Sequence, residues 1–303
     1  MVAIVGPTAS GKTELAIRVA ERINGELVSM DSRQVFRHCD IGTNKPTRAE
    51  LRGIPLHGID VADPDEPFTV ADYQRVALRT ISEVAGRGRL PVLQGGTGLY
   101  LRAALAELAL PPAPAPGARQ RWEQFYDEQG AAGAHARLEE LDPAAAAAVH
   151  ANDRRRVVRA LELADAGASL APGEDRLWAA DTRHPTLVVG LDVPKDVLER
   201  RIEERTRAMF DDGVQEEVTR ALAGTVSLTA RQALGLEEVA TLPRDEAIAA
   251  LVVRTRRYAA YQRKWMRRIP GIAMVGADRP PGEIADDIVA LARTRERVPR
   301  PRG

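Results

Sequence analysis

VAIVGPTASGKT, Val2 to Thr13, decides the fold. A short apolar run passes directly into glycine, four residues, glycine, lysine and threonine, which is the spacing of a P-loop. Gly6 and Gly11 let the backbone turn tightly and approach an anion with no side chain in the way. The loop Gly6, Pro7, Thr8, Ala9, Ser10, Gly11, with Lys12 and Thr13, presents backbone N–H groups and the positive end of the following helix to phosphate oxygens. Lys12 adds a point charge, and the Thr13 hydroxyl is placed to hold Mg²⁺. Leu15, Ala16, Val19, Ala20 and Ile23 continue at helical spacing. Strand, loop and helix in this order predict an α/β fold, a P-loop kinase-like doubly wound parallel sheet. The ligand carries at least two phosphates; the motif alone does not make it ATP.

Working outward, 303 residues are enough for one large domain or two moderate ones. Lys plus Arg equals Asp plus Glu at 43 each, so only local clustering can mark a nucleic-acid surface. Cys39 is the only cysteine, which excludes internal disulfides and a cysteine metal cluster and reads as a small buried side chain. No apolar run is long enough to span a membrane, and a strand starting at residue 2 leaves no room for a signal peptide. The expectation is a cytoplasmic monomer.

Glu26 to Met30 reads as a second strand ending at Asp31. In a parallel sheet the carboxyl ends of the strands share one edge, so Asp31 is expected beside the phosphate cradle. Asp31 to Thr47, DSRQVFRHCDIGTNKPT, is a shaped loop at that edge. His57 to Tyr73, with Asp-Pro and Glu-Pro steps, is a lid or a connector before a helix from Val70 to about Ala85, and His57 reads as a hydrogen-bonding structural residue. A third strand, Leu90 to Leu93, leads through Gln94 into GGTGLY, Gly95 to Tyr100, where Thr97 offers a hydroxyl. An ATPase would place a carboxylate where Gln94 stands. Asp192, ending the apolar run Thr186 to Leu191, is either that missing carboxylate or the cap of a helix starting near Pro194.

LPPAPAPG, Leu110 to Gly117, is a composition break typical of a linker. The pattern from there to about residue 183 is helical, so an inserted helical domain, 113–183, divides a catalytic core made of 1–112 and 184–303. Asn152 to Arg156 and Arg159 give the insert a basic face. A second cluster combines Arg254, Arg256, Arg257, Arg263, Lys264, Arg267 and Arg268 with Tyr258, Tyr261 and Trp265. Such faces are ordinarily solvated, yet cations with interleaved rings also suit RNA. Leu198 to Val218 reads as one helix; its arginines have helical acidic partners except Arg205. Ile272 to Val275 is the last strand, followed by a helix, Pro281 to Arg293, and a disordered basic tail.

GPTASGKT, DSRQVFRHCDIGTNKPT, GGTGLY, HANDRRRVVRALEL, the helix with Arg205, and TRRYAAYQRKW, in this order and spacing, resemble bacterial tRNA dimethylallyltransferases over nearly the whole chain. The resemblance implies transfer of a dimethylallyl group from dimethylallyl diphosphate to the exocyclic N6 amine of the adenosine at tRNA position 37, in the anticodon stem-loop. It makes Asp31 the general base, and gives Lys12, Thr13 and Arg205 to the diphosphate and Thr97 to the tRNA contact. Asp31, Ser32, Arg33 and Gln34, then Arg119, then Arg155, Arg156, Val157, Val158 and Arg159, then Gln262, Arg263, Lys264, Trp265 and Arg267 match tRNA-contacting segments. Ala260 and Tyr261 stand where the family has Lys and Arg, and Leu236 where it has Tyr. The alternatives are an adenylate isopentenyltransferase, a P-loop small-molecule kinase, and an RNA-binding switch that hydrolyses nucleotide.

Overall fold

In the computed structural model the described residues are 1–106, 108, 110, 112, 114–171 and 182–294, without the side chains of 232–234. The basic tail, the end of the insert's helical pattern and parts of the Pro-rich linker lie outside them. The chain divides into two compact units, Met1–Glu107 with Ala180–Gly303, and Leu108–Ala179.

The first unit runs β1 (Val2–Val5), α1 (Lys12–Ile23), β2 (Gly25–Met30), α2 (Arg48–Leu51), β3 (Leu56–His57), α3 (Val70–Gly86), β4 (Leu90–Gly95) and α4 (Gly98–Leu105). The second contains α5 (Ala118–Leu141), α6 (Pro143–Ala148) and α7 (Arg154–Asp165). The first then resumes with β5 (Leu187–Asp192), α8 (Lys195–Asp211), α9 (Val214–Leu222), α10 (Leu228–Leu234), α11 (Leu236–Thr241), α12 (Arg244–Met266), β6 (Ala273–Gly276) and α13 (Pro281–Thr294).

The six strands form one parallel sheet in the order β3-β2-β4-β1-β5-β6. Every residue of β1 is buried, as a central strand covered on both faces must be. Val2 and Ile4, with Leu27, Val92 and Val189, pack on Leu15, Ala16 and Val19 of α1 and Ile284 and Ile288 of α13. Alternation turns Ala3, Val28 and Leu93 to the opposite face, where α3 packs against β2 and β4. Tyr73 of α3 stacks on Tyr100 of α4 and donates its hydroxyl hydrogen to Ser29 O at 3.0 Å.

Register positions the site. Val5, Gly95 and Met30 lie in one row across β1, β4 and β2. The residues that follow, Gly6, Gly96 and Asp31, therefore leave the sheet along one edge. Neighbouring strands are about 4.8 Å apart, so the chain turns at Gly6 and Asp31 within roughly 10 Å of each other. Gly95 has to be glycine, because a Cβ there would lie 2.4 Å from Met30 O.

Two readings of the sequence change. The strand read as third is fourth in the chain, since the two-residue β3 precedes it; so short a strand gives too little alternation to read. There His57 meets the buried Glu26 at 2.7 Å, in the structural role expected of it. The single helix expected over 198–218 is two, α8 and α9, broken at Gly213, whose φ of 94° cannot continue a helix. Within the helical insert, α5 kinks at Gly130, φ 70° and ψ 174°.

The shaped loop after Asp31 is held from within. Glu217 of α9 accepts from the N–H groups of Asp40, Ile41 and Gly42 at 2.7, 2.8 and 2.8 Å. The buried Lys45 ammonium donates to Phe36 O and to the carboxylates of Asp40 and Asp60 at 2.6, 2.7 and 2.6 Å. Cys39 is buried in this loop, and burial, with Glu217 nearby, pushes its thiol up to about 11, so it is inert at neutral pH.

Candidate active site

The P-loop follows β1 and ends at Gly11, φ 84°, the N-cap of α1. Gly11 supplies no side-chain cap, so the first amides of α1 point out of the helix end without intrahelical partners. A Cβ on Gly6 would come within 2.7 Å of Ser10 Oγ, which keeps this position bare. The hydroxyls of Thr8 and Ser10 are buried and have no hydrogen-bond partner among the described residues. Buried orphan hydroxyls beside the unpaired first amides of α1 fit an anion, while Thr8 N–H and Ser10 N–H are themselves bonded within the protein.

Lys12 is buried with Nζ 3.4 Å from Pro7 O. Burial lowers its pKa to about 8; Asp31 opposes the fall, while Arg205 and Arg33 add repulsion. Asp31, also buried, accepts from Arg33 N–H at 3.0 Å and from Arg33 Nε at 3.4 Å. Burial alone would raise its pKa, but Arg33 and then Lys12 outweigh that and hold the carboxyl below its ordinary range. Arg205, projecting from α8, is lowered to about 10 by burial and by Arg33, with Asp31 opposing. These four groups interact in one desolvated space, three cations against one carboxylate. A net charge of two positives in such a place is costly until an anion enters.

Thr97, at the start of α4, accepts from Ser32 N–H at 3.2 Å and lies 3.4 Å from Ser32 Oγ. Tyr258 of α12 hydrogen-bonds Thr97, and its ring lies under the Arg33 guanidinium at 5.3 Å. Thr13 Oγ1 donates to Gln94 Oε1 at 3.3 Å, so the side chain that replaces the ATPase carboxylate orients the P-loop threonine. Asp192, at the end of β5, does not cap α8, whose N-cap is Pro194 and which has no side-chain cap; Asp192 instead lies 3.5 Å from Arg263.

Gly6 to Thr13, Asp31, Ser32, Arg33, Thr97 and Arg205 are thus gathered at one sheet edge. Gln34 lies just beneath: it is buried, accepts from Ser29 Oγ at 3.0 Å and donates to Asn44 O at 3.1 Å, so it braces the loop. On α12, Gln262 and Trp265 are buried while Lys264 and the C-cap residue Arg267 are exposed.

In the inserted unit, Val157 and Val158 are buried in a core with Trp122, Tyr126 and Leu138, and serve the helix rather than its surface. Arg119 and Arg159 both bind the buried Glu162, at 2.8 and 3.0 Å. Arg155 and Arg156 are exposed and make no ion pair among the described residues.

Fold and site together define a P-loop α/β protein in which the phosphate cradle faces a buried, ionised carboxylate rather than the acidic metal site of an ATPase. Comparison with known proteins makes the class specific. The family described as IPP transferase matches residues 34–269, and that described as isopentenyl transferase matches residues 1–60. A tRNA dimethylallyltransferase of Roseiflexus sp. (strain RS-1) is 44% identical over 286 residues, covering 92% of this chain and 93% of that protein. One from Geobacter sulfurreducens is 44% identical over 287 residues, 91% of each. The crystal structure of the full-length tRNA isopentenylpyrophosphate transferase from Bacillus halodurans aligns with TM-score 0.70 and 36% identity, covering 98% of this chain and 97% of that one. A eukaryotic dimethylallyltransferase, 24% identical with TM-score 0.79, shares the fold. The chain belongs to the tRNA dimethylallyltransferase family, and is a transferase.

The contribution of α12 to the P-loop was not legible from the motifs. Its only sequence signal is that Tyr258, Gln262 and Trp265 stand at helical spacing on one face.

Proposed function

We propose that this chain transfers the dimethylallyl group of dimethylallyl diphosphate to the N6 amine of the adenosine at tRNA position 37, releasing diphosphate, and works as a cytoplasmic monomer. Among the described residues no helix is long and apolar enough to cross a membrane, which agrees with such a setting. The observation that carries the reading is the pocket of Lys12, Arg33 and Arg205 around Asp31. An ionised carboxylate held among surplus cations suits a reaction in which a polyanion leaves while a proton is taken up.

The chemistry balances within these groups. The N6 lone pair forms the new C–N bond as the allylic C–O bond breaks, and the electrons of that bond leave with diphosphate. Lys12, Arg205 and the P-loop amides stabilise the growing negative charge. The N6 proton passes to Asp31. A carboxyl of low pKa is a weak base toward a neutral adenine amine, but bond formation makes the nitrogen cationic and strongly acidic. Proton transfer to Asp31 is then favourable late in the step. Thr97 and Ser32, tied to each other, line the acceptor side of the same edge.

Of the residues present, Thr13 would hold Mg²⁺, with the remaining positions left to substrate oxygens. Thr13 offers a hydroxyl at the helix N-terminus, and no group of three or more His, Cys, Asp or Glu among the described residues could hold a metal on its own. When bound, the ion supplies Lewis-acid stabilisation of the leaving diphosphate.

Arg155 and Arg156 of the insert, and Lys264 of α12 with Arg267 at its C-cap, contribute phosphate contacts to the tRNA anticodon stem-loop. The target base is presented splayed out of its stack. Incubation with labelled dimethylallyl diphosphate and unmodified tRNA, followed by nucleoside analysis, tests the reading. Label in N6-dimethylallyladenosine is expected. Turnover of ATP without prenyl transfer, or equal transfer to free AMP, would overturn it.

A further inference from the structure

On α12, Tyr258, Gln262 and Trp265 project from one face and meet the loops after three strands. Tyr258 reaches Thr97 and Arg33. Trp265 fills the space over Gly98, where a Cβ would lie 2.8 Å from its ring. Gln262 lies between them and is 1% exposed. Its Oε1 accepts from the Thr8 N–H of the P-loop at 2.7 Å, and its Nε2 donates to Gly96 O of the loop after β4 at 2.9 Å. A Cβ at 96 would come within 2.1 Å of Nε2, so the amide reaches Gly96 O in this position only beside glycine.

The two bonds give the amide a fixed direction. One partner is a donor and the other an acceptor, so only a side chain with an oxygen at one end and an N–H at the other satisfies both. Thr8 is followed by Ala9, whose φ of 62° is a left-handed conformation that a non-glycine residue keeps only under constraint. Pinning the Thr8 amide supplies that constraint, and it fixes the direction of the anion-binding amides that follow.

We propose that Gln262 is a positioning residue for the transfer, joining α12 to the P-loop so that the diphosphate seat is complete only when α12 is docked. This rests on the proposed prenyl transfer and adds to it a coupling: a helix carrying exposed cations for RNA, Lys264 and Arg267, holds the loop that binds the other substrate. The side chain of Gln262 is spent on this clasp and contacts no RNA.

The test uses Gln262→Glu, Gln262→Met and Gly96→Ala. A carboxylate at 262 accepts from Thr8 but faces Gly96 O without a proton, and it brings a negative charge beside the leaving group. Burial raises the pKa of a carboxyl that no cation pairs with, as at 262, where the partners are a backbone N–H and a backbone C=O, and once protonated it can donate to Gly96 O. The KM of Gln262→Glu for dimethylallyl diphosphate is therefore expected to rise on the order of tenfold at pH 8.5 and to return toward that of the unaltered enzyme near pH 6. Gln262→Met and Gly96→Ala should raise the same KM at both pH values. A side chain that merely stabilises the fold would lower the melting temperature with no pH-dependent recovery of KM. In the unaltered protein without ligand, the Thr8 amide should be protected from hydrogen exchange, a measurement that needs no variant. Rapid exchange of Thr8, or KM values within twofold of the unaltered enzyme at both pH values, would overturn the proposal. Absence of prenyl transfer by the unaltered enzyme would instead refute the functional reading beneath it.

Discussion

Replacing Asp31 with Asn separates the two tasks given to the carboxylate. Asn keeps the shape and can still accept from Arg33 N–H, 3.0 Å away in the native protein, but it neither takes a proton nor carries charge. Loss of a general base lowers kcat by roughly 10²- to 10⁴-fold. The lost charge acts on Lys12, whose pKa of about 8 is already depressed by burial and is supported by Asp31. An opposite charge at close range is worth about one to three pKa units, so the Lys12 titration in Asp31→Asn should move down by at least about one unit. In the unaltered enzyme, kcat/KM for dimethylallyl diphosphate is expected to fall above about pH 8, approaching tenfold per unit, as free-enzyme Lys12 loses its proton. In Asp31→Asn this fall should begin near neutrality. Below pH 6.5 the variant keeps three cations and has lost the carboxylate that repels diphosphate, so affinity for inorganic pyrophosphate there should be equal or higher. Steady-state kinetics across pH 6 to 9.5, with pyrophosphate binding by calorimetry, measure both effects. Undiminished kcat would remove Asp31 as the base, and an unshifted alkaline limb would refute its coupling to Lys12.

Arg205→Ala should lower kcat by about 10²- to 10³-fold with a smaller change in tRNA affinity, as removal of a group that stabilises charge in the transition state does; single-turnover transfer assays measure it. Arg155→Ala with Arg156→Ala should weaken tRNA binding and reduce its salt slope by about 1.5, while the KM for dimethylallyl diphosphate stays unchanged; filter binding at several salt concentrations is the check. Glu217→Ala leaves the N–H groups of Asp40, Ile41 and Gly42 without their carboxylate and should cost about 2–4 kcal/mol, read by chemical denaturation.

Much of the core was readable along the chain because its signals are local. Val2 to Val5 runs apolar without alternation because it is covered on both faces, and the helix from Lys12 declares itself by spacing. Arg205 could be singled out because no acidic residue stands three or four places from it. The buried space it occupies with Lys12, Asp31 and Arg33 is consistent with that omission. The break at Gly213 and the kink at Gly130 carry no distinct sequence signal, since an isolated glycine within a helical pattern is ordinarily tolerated.

By itself the sequence determined the cradle, the strand ends that would surround it and the family. These follow from glycine spacing and from the rule that parallel strands end on one edge. The tertiary structure decided which side chains reach the cradle and in what state. Gln262 is 254 residues from Thr8 and 166 from Gly96, and no local pattern encodes a bond over that separation. The charge states of Lys12 and Asp31 likewise depend on desolvation and on one another, which exist only once β1, β2 and α8 are packed together.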